Sequence, residues 1–311
     1  MATLERVPFG QLEALVLTDG DLRATFVPRA GMIGCSLMHR GEELLVQRGG
    51  LDGWRGSGRS FGLPLLHPWA NRLRDWRYSV AGRAVMIDRA RGVVRPDEND
   101  LPIHGALAAA ADWDVEEEGA DGGAAWFTAA LDYARRDDRL AVFPFPHRIE
   151  LAVRLDGDAL AITTTVVPTG EDEMVPLAFG WHPWLGLPGV PRAEWELEQP
   201  ARTAIALDDR NLPTGERHAA EAERAALGER VLDAHSAVAE DARFALAGGG
   251  REIAVEWAGG YRFAQVFAPA ALDVVCLEPM MAPIDALSTG EELRVAAPGE
   301  RAGATFRLRV T

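Results

Sequence analysis

The residues best suited to chemistry in this chain gather in four short segments rich in Gly, Pro and Trp. In Phe179-Gly180-Trp181-His182-Pro183-Trp184 a titratable imidazole stands between two indoles. Pro183 biases His182 toward extended backbone, and Pro176 and Gly180 bracket the approach, so His182 is expected where a strand gives way to a loop. Flat apolar faces beside one proton carrier suit a polyhydroxylated ring, which stacks its C–H faces and needs a proton moved. The competing reading is a structural histidine in an aromatic cluster. In Asp273-Val274-Val275-Cys276-Leu277-Glu278-Pro279-Met280 an apolar run ends in a carboxylate followed by Pro. A Glu closing a strand buried on both faces is costly unless it is paired or used, which makes Glu278 the general-base candidate. Its alternative is an exposed strand end.

The other two segments supply polar groups. Gly62-Leu63-Pro64-Leu65-Leu66-His67-Pro68-Trp69-Ala70-Asn71-Arg72 ends in a donor–acceptor amide and a rigid fork of donors. Both Asn71 and Arg72 suit hydroxyl groups, although Arg72 could equally pair with a structural carboxylate. In Leu101-Pro102-Ile103-His104-Gly105 the glycine permits close approach, or an unusual φ, beside the imidazole.

Other chemistries fit less well. His39, His67, His104, His147, His182, His218 and His235 include no pair one to five residues apart, so no metal is implied. Lys is absent, which removes Schiff-base chemistry and a phosphate loop ending in Lys; there is no Gly-x-Ser-x-Gly nucleophile turn. No cofactor is implied.

The elements that must position these groups read as strands. Ala14–Leu17 and Leu22–Val27 flank the turn Asp19-Gly20, and Arg148–Leu155 alternates at period two, answered by Leu160–Val167 across Asp156-Gly157-Asp158. Glu194–Glu198, Glu252–Trp257 and Thr305–Val310 alternate likewise, as half-buried antiparallel strands do. Asp121-Gly122-Gly123 and Gly248-Gly249-Gly250 read as hairpin tips. Ala219–Arg230 has helix-forming composition with mostly Ala as its apolar residues, and is expected to be a solvated surface helix. Ala106–Ala111 is expected to hold one short turn. With no linker or repeat, residues 1–311 are expected to form one all-β domain, a large antiparallel β-sandwich with few short helices.

Composition is that of a soluble globular chain: 311 residues, 48% hydrophobic, 25% charged, net charge −15. Such acidity gives no electrostatic reason to bind nucleic acid or an anionic membrane surface. Cys35 and Cys276 are far apart in apolar surroundings and read as buried thiols of a reducing compartment. No basic leader or membrane-length apolar run is present, so a cytoplasmic protein, monomer or homodimer, is expected.

In this order the segments resemble the aldose 1-epimerase (galactose mutarotase) family. The similar pieces are Pro68 through Arg72, His104-Gly105 with Trp113 following, Gly180 through Trp184, and Glu278-Pro279. Phe145-Pro146-His147-Arg148 and Asp241-Ala242-Arg243-Phe244 also look like that family. The resemblance implies a β-sandwich with an open sugar groove, working without metal or cofactor on a small-molecule sugar. It makes His182 the general acid and Glu278 the general base. It gives His104, Arg72 and Asp241 to the sugar hydroxyls. Trp184 stands where the family often has Tyr or Phe, and Trp76 where Gly is common; both are expected to reshape the pocket. Attraction between the two catalytic groups is expected to lower the carboxylate pKa and raise that of the imidazole. Three alternatives remain open at this stage. The first is an epimerase of a charged sugar, which needs a cationic cluster, for which Arg72, Arg74 and Arg77 are the candidates; the second is a catalytically silent sugar-binding protein. A glycoside hydrolase, the third, would want two carboxylates.

Overall fold

A computed structural model describes residues 1–57, 59–108 and 110–311. The period-two stretches become paired strands. His147–Asp156 and Ala159–Pro168 form a hairpin that runs in register from His147 opposite Pro168 to Asp156 opposite Ala159. Buried residues alternate with half-buried or exposed ones along both strands, so one face is committed to the interior. The Asp19-Gly20, Asp121–Gly123 and Gly248–Gly250 turns each join adjacent antiparallel strands.

Two large antiparallel sheets dominate. The first has nine strands: Asp114–Ala120, Ala125–Asp132, His147–Asp156, Ala159–Pro168, Ala302–Val310, Arg251–Trp257, Arg243–Gly248, Glu196–Gln199 and Glu223–Ala226 in spatial order. The second has eight. Pro213–Ala220, Arg202–Leu207, Leu232–Ala237, Phe263–Ala268, Val275–Met280, Gly180–Trp181 and Leu65–Leu66 follow one another, and Trp184–Leu185 also pairs with Val275–Met280. A five-stranded meander over Thr3–Glu43 precedes them. One apolar cluster runs from Ala2 to Val310 and joins Leu151, Ile162, Val255 and Phe306 of the first sheet to Val266, Val275 and Leu277 of the second. Because Val266 and Leu277 point into that core, the intervening Gln265 and Glu278 point to the opposite face.

The helix expected over Ala219–Arg230 is not formed. Pro213–Ala220 and Glu223–Ala226 are strands, the latter closing an edge of the nine-stranded sheet with Glu196 opposite Ala226 and Gln199 opposite Glu223. Ala-rich composition gave the segment helix propensity but no apolar stripe to bury. Backbone pairing and the cross-strand contacts of Arg224 with Glu196, Glu198 and Glu252 decide instead. Of the short turn expected over Ala106–Ala111, a turn is present at Ala108, and Ala109 lies outside the described residues. Short helices occupy Gly50–Ser57, Asp137–Val142 and Ala286–Thr289. No helix among the described residues is long and apolar enough to cross a membrane. Cys35 and Cys276 are buried free thiols.

Candidate active site

The strand Val275–Met280 carries the carboxylate, and its two neighbours decide what faces it. On one side Gln265 lies directly opposite Glu278. On the other, Gly180 pairs with Met280 and Trp184 with Cys276, which brings the intervening His182 beside Glu278. Pro183 cannot donate to the ladder, and the pairing is interrupted there as the sequence suggests. Hydrogen bonds from His182 N to Pro64 O (3.2 Å) and Trp184 N to Gly62 O (2.8 Å) fix the far edge of this segment. Gly180 permits the approach, since a Cβ there would meet Pro279 O at 2.6 Å and the Ala70 Cβ at 2.9 Å.

A second wall is knitted from two loops. His104 N donates to Asn71 O (2.9 Å), Ala106 N to His67 O (2.8 Å) and Leu73 N to Pro102 O (3.0 Å). Asn71 and His104 both hold left-handed backbone, with φ of +58° and +65°. Gly105 follows at φ +69°, where a Cβ would lie 2.2 Å from His67 O, so glycine is required for the loops to touch. Arg72 is held by ion pairs from Nε to Asp97 (2.5 Å) and from Nη2 to Glu98 (2.8 Å), while Asn71 Oδ1 accepts from Nη1 (3.2 Å). Structural pairing and a place in the cavity wall thus coexist at Arg72.

These walls enclose a cavity of about 350 Å³ lined by His182, Glu278, Asn71, Arg72, His104 and Trp184, together with Asp233, Gln265, Arg48 and Arg95. At its base His182 Nε2 lies 3.3 Å from Glu278 Oε1. Both side chains are almost fully buried, at 5% and 2% exposure. The His182 ring stacks flat on Trp184, centroids 4.8 Å apart, and meets His104 edge-on at 5.3 Å. Glu278 Oε2, Gln265 Oε1, His182 Nδ1, His104 Nδ1 and Trp184 Nε1 have no hydrogen-bond partner among the described residues. Buried polar atoms without partners are costly, and a ligand rich in hydroxyls would satisfy them.

Burial governs the protonation of the central pair. It pushes the His182 imidazole down to about 3, assisted by the positive charges of Arg95 and Arg48. Burial, then the negative charge of Asp233, holds the Glu278 carboxyl well above the ordinary carboxylate range, with Arg72 opposing. The expectation of a lowered carboxylate and a raised imidazole is therefore corrected: desolvation outweighs mutual attraction for these two buried side chains. Burial thus disfavours the charged form of both groups, biasing a proton of this pair toward the carboxyl and away from the imidazole. His104 is likewise kept neutral, by burial and by Arg95.

Asp241 is the clear misplacement. It is exposed on the turn before Arg243–Gly248 and does not line the cavity; Asp233 does, on the strand Leu232–Ala237 that flanks Phe263–Ala268. There Gln265 Nε2 donates to Asp233 Oδ1, and burial raises the Asp233 carboxyl. Trp76 also lies away from the cavity, its indole N–H donating to Asp100 O (2.8 Å) with the Arg89 guanidinium over its ring. Of the two indoles beside His182, Trp181 turns into the core and donates to Thr164 Oγ1 (2.9 Å). Arg74 pairs with Asp285 and Arg77 is exposed; neither lines the cavity. Sequence reading missed Asp233, Gln265, Arg48 and Arg95. Gln265 carries a signal, a lone polar residue inside the otherwise apolar strand Phe263–Ala268, whereas Asp233 and the two arginines carry none. His67 and His147 serve the interior. His147 Nδ1 donates to Phe145 O (2.6 Å), leaving its Nε2 to accept from His67 Nε2 at 2.7 Å.

A family model described as aldose 1-epimerase matches residues 15–309. A search of curated proteins finds no match. Among solved structures, a galactose mutarotase-like protein from Clostridium acetobutylicum aligns with a TM-score of 0.86 at 17% identity, covering 99% of this chain and 98% of that one. Galactose 1-epimerase from Lactobacillus acidophilus gives 0.76 at 14% identity over 100% and 98% of the two chains. An aldose epimerase homologue from C. elegans gives 0.71 at 16% identity over 100% and 99%. At these identities the structural likeness establishes a shared galactose mutarotase-like fold.

Proposed function

Because the chain belongs to the aldose 1-epimerase family, we propose that it interconverts the α and β anomers of an aldose by acid–base ring opening and reclosure. The observation that carries this reading is the 3.3 Å contact of His182 Nε2 with Glu278 Oε1 at the base of a cavity walled by hydroxyl-binding groups. Ring opening removes the proton of the anomeric hydroxyl, protonates the ring oxygen and breaks the C1–O5 bond. Glu278 as carboxylate takes the first proton and His182 as imidazolium gives the second. C1 then turns about the C1–C2 bond, and the two groups exchange roles as the ring closes on the other face.

The protonation state of the site fits that cycle. Opening leaves a protonated Glu278 and a neutral His182, the form that burial favours. For closure the protonated Glu278 returns its proton to O1 and the neutral His182 takes the proton of the O5 hydroxyl, which restores the starting pair without drawing a proton from solvent. Asn71, Arg72, His104, Asp233 and Gln265 are the groups that would hold the hydroxyls. Trp184 fixes the plane of the imidazole through its parallel stack.

The test is polarimetry or one-dimensional NMR of freshly dissolved α-anomers across a panel of neutral and charged aldoses. The expected result is equilibration faster than buffer alone for at least one member. Buffer-rate equilibration for every member would overturn the proposal.

A further inference from the structure

We infer that the preferred aldose carries an oxyanionic substituent, a carboxylate, phosphate or sulfonate, received by Arg95 and Arg48 in the wall of the cavity. The inference rests on the mutarotase reading and extends it to the chemical class of the substrate. It begins from two cavity-lining arginines without an ion-pair partner among the described residues, although Glu98, Asp233 and Glu278 line the same cavity. Arg72 is answered by Asp97 and Glu98. Arg95 and Arg48 line the same cavity, and among the described residues no carboxylate oxygen lies within ion-pair distance of either guanidinium. The chain has 47 acidic residues to 32 arginines, so a shortage of carboxylates does not explain two unanswered cations in one cavity.

Both arginines are poised rather than loose. Arg48 donates to Ser60 O (3.1 Å) and lies over the Trp184 ring, 4.4 Å from its centroid. Arg95 belongs to the short strand Arg95–Pro96, paired with Pro102–Ile103 immediately before His104. Burial and the neighbouring charge of Arg48 push the Arg95 guanidinium below its ordinary value, against the opposing charges of Glu98 and Asp97, neither of which forms an ion pair with it. Sugar hydroxyls are weak acceptors that do not offset such a charge. An oxyanion forms short charge-assisted bonds to planar guanidinium forks.

Room for the substituent adjoins the site. A second cavity of about 230 Å³ shares Ser60, Arg95, Ile103 and His104 with the first and continues past Trp54. Arg95 therefore stands where the two meet. The same arginines depress the His182 imidazole. An anion bound to them would cancel that field and favour the imidazolium needed for the acid step, so a charged substrate would tune the catalytic pair on arrival.

The experiment measures mutarotation of glucose, galactose, their uronic acids, their 6-phosphates and a 6-sulfonated glucose by NMR exchange, in wild type, Arg95→Met and Arg48→Gln, with near-ultraviolet circular dichroism as the folding check. Charge-assisted bonds of the usual strength give about a ten- to hundredfold preference in kcat/KM for one anionic series over its neutral parent. Each variant should reduce that preference about tenfold, chiefly through KM, and the three arms identify the oxyanion. Should Arg95→Met fail to fold, Arg48→Gln carries the comparison. Neutral sugars turned over as well as every anionic one would overturn the inference while leaving mutarotation intact. Absence of turnover with calorimetric binding of an anionic sugar, weakened about tenfold by Arg95→Met, would support the inference and overturn the catalytic reading. Neither turnover nor binding would overturn both.

Discussion

In the proposed cycle Glu278 takes one proton and His182 gives another, so the chemistry depends on both groups. Glu278→Gln preserves shape but cannot accept the anomeric proton; His182→Asn cannot donate to the ring oxygen. Each is expected to lower kcat by on the order of 10²–10⁴ while near-ultraviolet circular dichroism stays that of the parent. Activity near wild type in either variant, read by polarimetry, would reject the assignment. The pH profile gives an independent check. With His182 held down to about 3, the pair takes a second proton only as pH falls toward that value. kcat/KM should therefore run flat from pH 7 down through 6, and an inflection near the ordinary imidazole value of 6.5 would show a solvent-like His182. His182 and Glu278 were legible in the sequence because a carboxylate closing an apolar strand and an imidazole among indoles are each conspicuous. Arg48 and Arg95 were not, because an arginine in a loop or a short strand carries no pattern that separates a cavity wall from a solvated surface.

At the scale of elements, the segment 179–185 must lie close against the strand Val275–Met280, and Gly180 sets that distance. Gly180→Ala places a methyl 2.6 Å from Pro279 O and 2.9 Å from the Ala70 Cβ, so the backbones must part. Overpacking of this kind costs about 1–3 kcal/mol. Because the displaced ladder aims His182, the expected result is a lower urea midpoint with a loss of kcat larger than the stability loss alone would give. Unchanged kcat would mean that the ladder does not aim the imidazole. Period-two alternation and turn residues made most strands readable in advance. Alternation did not reveal which strand lies beside which. Asp233 lies on the strand Leu232–Ala237 and Asp241 on the turn that follows it, and only the pairing of Leu232–Ala237 with Phe263–Ala268 places one of them in the cavity. The Ala219–Arg230 error has the same origin: local propensity was outweighed by a sheet edge whose partner, Glu196–Gln199, comes about 25 residues earlier in the chain.

For the whole molecule, buried histidines set the response to acid. His67, His147, His182 and His235 are almost fully buried. Burial lowers all of them, His147 and His235 to about 4 and His182 to about 3. Below pH 6.5 the unfolded chain takes up protons that the folded one refuses, so stability falls as pH falls, a trend that continues to about pH 4. Each such imidazole contributes a loss on the order of 1–2 kcal/mol between pH 7 and 5, which the raised carboxyls of Glu278 and Asp233 offset only in part because four imidazoles act together. Urea midpoints at constant ionic strength should drop steeply across that interval, and equal midpoints at pH 7 and 5 would show that these imidazoles meet solvent.

The position of Ala302–Val310 has a consequence for biosynthesis. It pairs with Ala159–Pro168 on one side and Arg251–Trp257 on the other. A nascent chain therefore carries two half-sheets with open edges, free to pair with the wrong partner, until Ala302–Val310 emerges and closes the gap. Chains stopped before Ala302 should be protease-labile and prone to associate, whereas the finished chain resists digestion.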